Sequence, residues 1–418
     1  MHTLAQLRSG ELKGVKRLKL SENLSSFPLE ILELSETLEI LDLSNNALNS
    51  IPKEINKLKK LKIAFFSNNL FTSVSSAFKE CENLYMLGFK ANKIEVFEED
   101  ILPLSISWLI LTDNKIKTLP DSMGKLAKLQ KCALAGNRIE KLPDTMSACG
   151  NLELLRLSAN NLTQIPPWLL SLPKLSWLAF SGNPCSGSCE PEHKEIAFED
   201  LQVQELLGEG ASGEIFRGYS QELEKELAIK FFKGEVTSDG YAKDEMNACM
   251  SVGTHPNLIK VFAKVVEHER LGLILEYIPS EYKNLGFPPN FDTCTRDTFE
   301  DRLVFSIDAI KKIAKAIASA AAHLHANGLM HGDLYAHNIL INGEHKCYLG
   351  DFGAASFYEV ENKGYEKIEV RAFGCLLDDL LSRSSVQSGD NYQALDILRK
   401  RCLSANSNER PLFGEMNF

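Results

Sequence analysis

The chain has no apolar run near the ~20 residues that a membrane-spanning helix needs, and its first residues carry no signal-type apolar segment. A soluble, cytoplasmic protein is the expectation. Positive charge is not in excess either: 46 Lys and Arg stand against 56 Asp and Glu, a net charge of −10. That balance excludes a general binder of nucleic acid or of anionic membrane. Cysteine occurs ten times, mostly in apolar segments, as reduced core thiols do. The one close pair, Cys185 and Cys189, has no second Cys or His pair at zinc-ligand spacing and reads as an ordinary loop.

What is present is ordinary globular composition, 44% hydrophobic and 24% charged. At 418 residues the chain exceeds one ordinary core, so two domains are expected.

The first half is periodic. Asparagines fall at 23, 46, 69, 92, 114, 137, 160 and 183, a spacing of 23 residues with a single 22. Each is preceded at eight positions and at three by an apolar residue, as Leu38 and Leu43 precede Asn46. The unit reads L-x-x-L-x-L-x-x-N-x-L, often continued by proline and I-x-x-L, as in Ile51-Pro52-Lys53-Glu54-Ile55. Alternation predicts a short strand, a turn in which the asparagine amide bonds backbone, and a return begun by proline. One unit cannot bury its leucines; stacked units can. The pattern resembles a leucine-rich repeat solenoid over residues 12–184, an α/β repeat fold.

Strand alternation sends the third and fifth positions of each repeat to the inner, concave face. There Ile40, Ile63, Phe65, Met86, Trp108 and Ile110 would form a contiguous apolar strip. Such strips mark binding sites, and Trp and Met are favoured anchors. The expectation is a protein or peptide partner on this face; packing against the chain's own second domain is the other reading.

Residues 185–199, with two prolines and many charges over PCSGSCEPEHKEIAFED, read as cap and linker. The second domain is placed at 200–418. It is organised around His331 to Gly353, HGDLYAHNILINGEHKCYLGDFG. Phosphoryl transfer passes through a loose, highly charged transition state, so its catalyst positions the acceptor hydroxyl and neutralises phosphate charge. Asp333 suits the hydroxyl proton, and Asn338 and Asp351 offer the hard oxygens that Mg²⁺ requires. Two short apolar strands, 338–341 and 346–349, joined at Asn342-Gly343, would set loop and aspartate side by side. HGDLYAHN and Asp351-Phe352-Gly353 resemble the H-R-D-L-x-x-x-N and D-F-G of protein kinases.

That resemblance implies a bilobal α+β kinase-like domain using ATP and Mg²⁺, and it extends upstream. Gly208, Gly210 and Gly213 fit the glycine-rich loop, so Leu207, Gly208, Glu209, Gly210, Ala211, Ser212, Gly213, Glu214 and Ile215 would cover the nucleotide. The following strand 227–231 carries Ala228 and Lys230, the lysine of V-A-I-K, which implies contact with the α and β phosphates. Glu245, in a helical stretch 241–252, would pair with Lys230. Leu273 to Tyr277 resembles the last small-lobe strand and hinge, with Glu276 and Tyr277 beside the adenine and Leu340 beneath it. Glu369 to Leu380 resembles a large-lobe helix, with Glu369 where the family has aspartate.

The sequence departs from the family in places. Gly332 replaces the arginine of H-R-D, the residue that reads a phosphorylated activation loop in many members. Tyr335 stands where serine/threonine kinases carry a phosphate-contacting lysine. If Glu359 stands for the glutamate of A-P-E and pairs with Arg410, five residues separate it from Gly353, so the activation segment is cut short. The resemblance implies a serine/threonine-type kinase independent of loop phosphorylation. A pseudokinase scaffold, or a small-molecule phosphotransferase resembling aminoglycoside and choline kinases, are the alternatives.

Overall fold

The computed structural model describes residues 2–187, 194–210, 213–234, 240–267 and 270–418. They fall into two compact units, Met1–Leu172 and Pro173–Phe418.

The first unit opens with a short helix, α1 (Leu4–Ser9), capped by Thr3 and closed by Gly10 in the left-handed region. Seven three-residue strands follow: β1 (Arg17–Lys19), β2 (Ile40–Asp42), β3 (Ile63–Phe65), β4 (Met86–Gly88), β5 (Trp108–Ile110), β6 (Lys131–Ala133) and β7 (Leu154–Arg156). They pair in sequence order, all parallel and in register. The central residue of each, such as Leu41 or Leu109, is fully buried, because a strand's alternate side chains face opposite ways. The return segments are 3₁₀ turns, and those at Lys53–Lys57, Asp121–Lys125, Asp144–Ala148 and Pro167–Ser171 are each entered from proline. Proline fixes φ there without forfeiting a ladder bond.

The asparagines work as expected, with one correction. Asn69 donates to Phe66 O in its own turn and to Leu43 O of the preceding repeat, while its Oδ1 accepts from Leu48 N–H. Asn46, Asn92, Asn114, Asn137 and Asn160 repeat this scheme. Asn23, aligned with them by spacing, is exposed and sits at φ 54° instead. It heads the stack and has no earlier repeat to bond. The residue before each ladder asparagine takes a left-handed turn: Asn45, Asn68, Ala91, Asp113, Gly136 and Ala159. The 22-residue repeat, Asn92 to Asn114, is the one with no 3₁₀ turn among the described residues.

The repeat pattern runs to 184, whereas the compact units part after Leu172: the last repeat's strand, β8 (Trp177–Ala179), clusters with the second unit. That unit continues with β9 (Leu201–Glu209), β10 (Gly213–Ser220), β11 (Lys225–Phe232), helix α2 (Ala242–Ser251), β12 (Val261–Glu267) and β13 (Arg270–Glu276). The five strands form an antiparallel sheet in the order β12-β13-β11-β10-β9. Strand β11 splits by parity: Leu227, Ile229 and Phe231 enter a core with Ile196, Val265 and Ile274, and Phe232 packs under α2 against Met246 and Leu273. Part of the expected linker belongs to this lobe, since Glu195 bridges Lys264 and Ile196 is buried in the core.

The larger lobe holds β14 (Lys283–Asn284), α3 (Ile307–Ala326), β15 (Leu329–Met330), β16 (Ile339–Ile341), β17 (Cys347–Leu349), β18 (Ser356–Phe357), α4 (Gly364–Ser382) and α5 (Asp390–Cys402). Helix α3 starts at Ser306, whose hydroxyl accepts from Ala309 N–H, and buries an Ala/Ile face. Strands β16 and β17 are the expected hairpin, but the turn is wider than Asn342-Gly343. Asn342 N–H bonds Lys346 O, Asn342 Oδ1 accepts from Glu344 and Lys346 N–H, and His345 is the left-handed residue.

Candidate active site

Strand β11 presents Lys230 on its α2 side, and α2 presents Glu245 toward the sheet. The two are buried and form a salt bridge. Burial alone would lower the Lys230 pKa, but the charges of Glu245 and Asp351 hold it above its usual value. Cys249, one turn beyond Glu245, faces the same space.

That space is a cavity of about 210 Å³ lined by Gly210, Gly213, Ile215, Lys230, Glu245, Cys249, Leu273, Leu275, Asp351 and Phe352 among others. The glycines of the loop differ in kind. A Cβ on Gly213 would lie 2.3 Å from Phe231 O, so the sheet itself requires glycine there. A Cβ on Gly208 or Gly210 would meet nothing within 4 Å. Among the described residues, nothing excludes side chains at those two positions, which fits a backbone kept bare for a ligand. Leu207, Gly208, Glu209, Glu214, Ala228, Glu276, Tyr277 and Leu340 are not among the cavity's lining residues; Ala211 and Ser212 lie outside the described residues.

The loop below is wired by its own polar groups. Asn338 Nδ2 donates to both Asp333 O and Asp333 Oδ2, each at 2.9 Å. Gly350 N–H donates to Asn338 O at 2.9 Å, which draws Asp351 beside Asn338. Asp351 sits at φ 57°, where Asp is tolerated, and its Oδ1 accepts from Gly353 N–H. His331 Nε2 bonds Gly350 O at 2.9 Å and its ring lies against Phe352. With its amide nitrogen on Asp333, Asn338 keeps its carbonyl oxygen for a cation, and Asp351 adds carboxylate oxygen; this donor set fits Mg²⁺.

Beneath the loop, buried Glu369 of α4 accepts from His331 N–H at 3.1 Å and Gly332 N–H at 2.7 Å, with His325 Nε2 at 2.8 Å. Burial would raise its pKa, but His325, His331 and the Gly332 amide hold it below the usual value. His325 also meets the Tyr358 hydroxyl at 2.7 Å, so both of its ring nitrogens serve packing within the lobe.

Two readings are corrected. Arg410 does not pair with Glu359, which is exposed; its guanidinium donates to the carbonyls of Ser404, Lys367 and Pro173. Gly332 is glycine for a steric reason. At φ 75°, a Cβ would lie 2.5 Å from Ala354 O and 2.6 Å from Leu178 O.

Sequence reading did not single out Asp297, whose carboxylate takes His337 Nδ1 at 2.7 Å and His337 N–H at 3.1 Å. Nor did it attach Trp177 to the loop. Its ring stacks on Tyr335 at 4.3 Å and its indole N–H donates to Leu334 O at 3.1 Å. No local signal marks a pairing across so many residues.

The protein kinase domain family matches residues 201–374, and leucine-rich repeat families match residues 37–58 and 128–184. The chain joins leucine-rich repeats to a protein kinase domain. An L-type lectin-domain containing receptor kinase of Arabidopsis thaliana is similar at 26% identity, over 49% of this chain and 32% of that protein. The serine/threonine-protein kinase PITSLRE of Drosophila melanogaster is also 26% identical, over 41% of this chain and 18% of its own length. Fibroblast growth factor receptor 1 of Pleurodeles waltl is 25% identical, over 50% and 29%. The match thus spans about a third or less of each relative. Among the described residues, no helix is long and apolar enough to cross a membrane.

Proposed function

We propose that this leucine-rich repeat kinase is an active, ATP-dependent protein kinase of serine/threonine type. The observation that carries the reading is the wiring of Asn338 to both Asp333 and, through Gly350, the Asp351 segment. The loop thereby holds a proton acceptor next to a pair of hard oxygen ligands.

In this reading Asp333 accepts the proton of the acceptor hydroxyl, and the Asn338 amide fixes its direction. Lys230, oriented by Glu245, would meet the α and β phosphates of ATP, with bare backbone at Gly208 and Gly210 above them. Asn338 and Asp351 would hold Mg²⁺, which supplies neutralisation of phosphate charge. Glu276 and Tyr277, which follow the cavity-lining Leu275, would offer their backbone to the adenine. One of the kinase relatives above, PITSLRE, is a serine/threonine-protein kinase, which supports the choice of acceptor.

The same proposal places a protein or peptide partner on the solenoid strip. Ile40, Phe65, Trp108 and Ile110 are half-buried there, whereas Ile63 and Met86 are buried. Docking would raise the local concentration of acceptor.

A second reading takes a small alcohol as acceptor. It is favoured by the short stretch between Gly353 and the start of α4 at Gly364.

The test is ADP release from Mg-ATP, with intact mass, for the full chain and Asp333→Ala. Release with added phosphate on protein in the wild type alone is expected. Release only with added alcohols, and no protein mass change, would select the second reading; nucleotide binding with no release under any condition would overturn both.

A further inference from the structure

We propose that the last repeat with the start of the segment after it, residues 173–187, is a working part of the phosphoryl-transfer site, and that Trp177 is the positioning residue that holds the loop bearing Asp333. This rests on the kinase reading above.

Asp333 is bracketed by this repeat on both sides. Before it, Gly332 lies so close to Leu178 O that a methyl group would sit 2.6 Å from that carbonyl. After it, Leu334 O takes the Trp177 indole N–H, and Tyr335 lies flat on the Trp177 ring with an interplanar angle of 6°. Trp177 is 1% exposed, so this contact is a packed, dry one rather than a surface touch. Stacked aromatic pairs add rigidity beyond the area they bury.

The same stretch braces the segment after Asp351-Phe352-Gly353. Phe180 N–H donates to Ser356 Oγ at 2.9 Å, Gly187 bridges Phe357, and the Phe180 ring stacks on Tyr365. It also abuts the start of α2, which carries Glu245. A Cβ on Gly182, at φ 68°, would lie 2.7 Å from both Asp244 Oδ2 and the Tyr241 ring. The base is anchored in turn, since Arg371 and Arg410 both donate to Pro173 O.

Three segments that supply polar groups to the site therefore converge on one short piece of chain. Elsewhere a long loop after the D-F-G glycine could supply such bracing. Here that loop is short, and the repeat stands in its place. Loss of the Trp177 contacts, which reach Leu334 and Tyr335, should loosen Asp333 relative to Asn338 and Asp351 while leaving the Lys230–Glu245 pair intact. Misplacement of about 1 Å in a catalytic group costs on the order of 10²-fold in rate.

The experiment compares full-length wild type, Trp177→Phe and Trp177→Ala. Turnover is expressed per nucleotide-binding molecule, nucleotide affinity is measured separately, and amide hydrogen exchange is followed over 331–338. Trp177→Ala should lower kcat at least tenfold, leave nucleotide affinity within about twofold and speed exchange at 331–338. Trp177→Phe, which keeps a ring on Tyr335, should recover most of the rate. If Trp177→Ala does not fold, Trp177→Leu keeps apolar bulk without the stack or the N–H and should show the same split. Unchanged kcat per binding-competent molecule, with unchanged exchange, would overturn the inference. So would a rise in kcat, which would make the repeat a restraint. A wild type that binds nucleotide but never turns over would instead overturn the kinase reading, whatever the variants do.

Discussion

The amide of Asn338 meets Asp333 twice, at the main-chain carbonyl and at the carboxylate, both at 2.9 Å. In the proposed kinase reading, one residue would thus orient the proton acceptor and offer a cation its side-chain oxygen. Asp333→Ala should lower turnover by roughly 10²–10⁴-fold, and Asn338→Ala by a comparable factor. Because the two act as a unit, the double variant should lose far less than the product of the single losses. Steady-state kinetics on the three variants checks this; multiplicative losses would break the link.

The loop glycines should separate by function. Gly210→Ala should leave stability within about 0.5 kcal/mol and weaken ATP binding about tenfold, ~1.4 kcal/mol. Gly213→Ala drives a methyl group into Phe231 O and should cost roughly 1–3 kcal/mol of stability. Thermal unfolding together with nucleotide titration distinguishes the two. Equal stability losses would show that the open space at Gly210 is not open.

His337 gives the site a pH signature. Burial would lower its pKa, but the hydrogen bond and charge of Asp297, with Asp333 and Asp351 also contributing, raise it. A group with a raised folded pKa contributes stability that is full below its unfolded value, about 6.5, and fades as pH rises through the folded value. Asp297→Asn should therefore lower Tm more at pH 6 than at pH 9. A penalty that grows with pH would reverse the assignment.

In the solenoid, Asn114→Ala would orphan the Ile94 N–H and remove one of two amide donors from each of the Phe89 and Leu111 carbonyls, which keep Asn92 and Asn137. At ~1–3 kcal/mol for an unsatisfied buried group, the loss should be of that size in chemical denaturation. Asn23→Gly, outside the ladder, should stay within about 0.5 kcal/mol. Similar losses at both positions would mean that spacing alone, not bonding, sets the role.

Much of this was legible before any coordinates. The repeat strands begin and end where the two inner-facing positions fall, because a leucine alternation of period two leaves no other register. Asp333, Asn338 and Asp351 stood out by residue type at short spacings and Lys230 and Glu245 by the kinase resemblance, and the structure brings Lys230 to Glu245 and Asn338 to Asp333. The illegible parts are long-range or steric. Gly332 looked like a lost phosphate sensor, yet two carbonyls, one from Leu178, dictate it. Arg410 looked like half of an ion pair, yet it caps carbonyls. Asn23 matched the period, but a ladder that bonds backward has no use for a first rung.

The repeat that is one residue short still closes its ladder, with Asn114 Nδ2 at 2.9 Å from Phe89 O, as Asn137 is from Leu111 O. What it gave up is the 3₁₀ turn of its return segment. Length is therefore negotiable behind the strands and fixed in front of them, which makes the exposed residues 98–100 a natural port for grafting a tag or loop. The same insertion between Trp108 and Asn114 would shear the spine on which every neighbouring repeat rests.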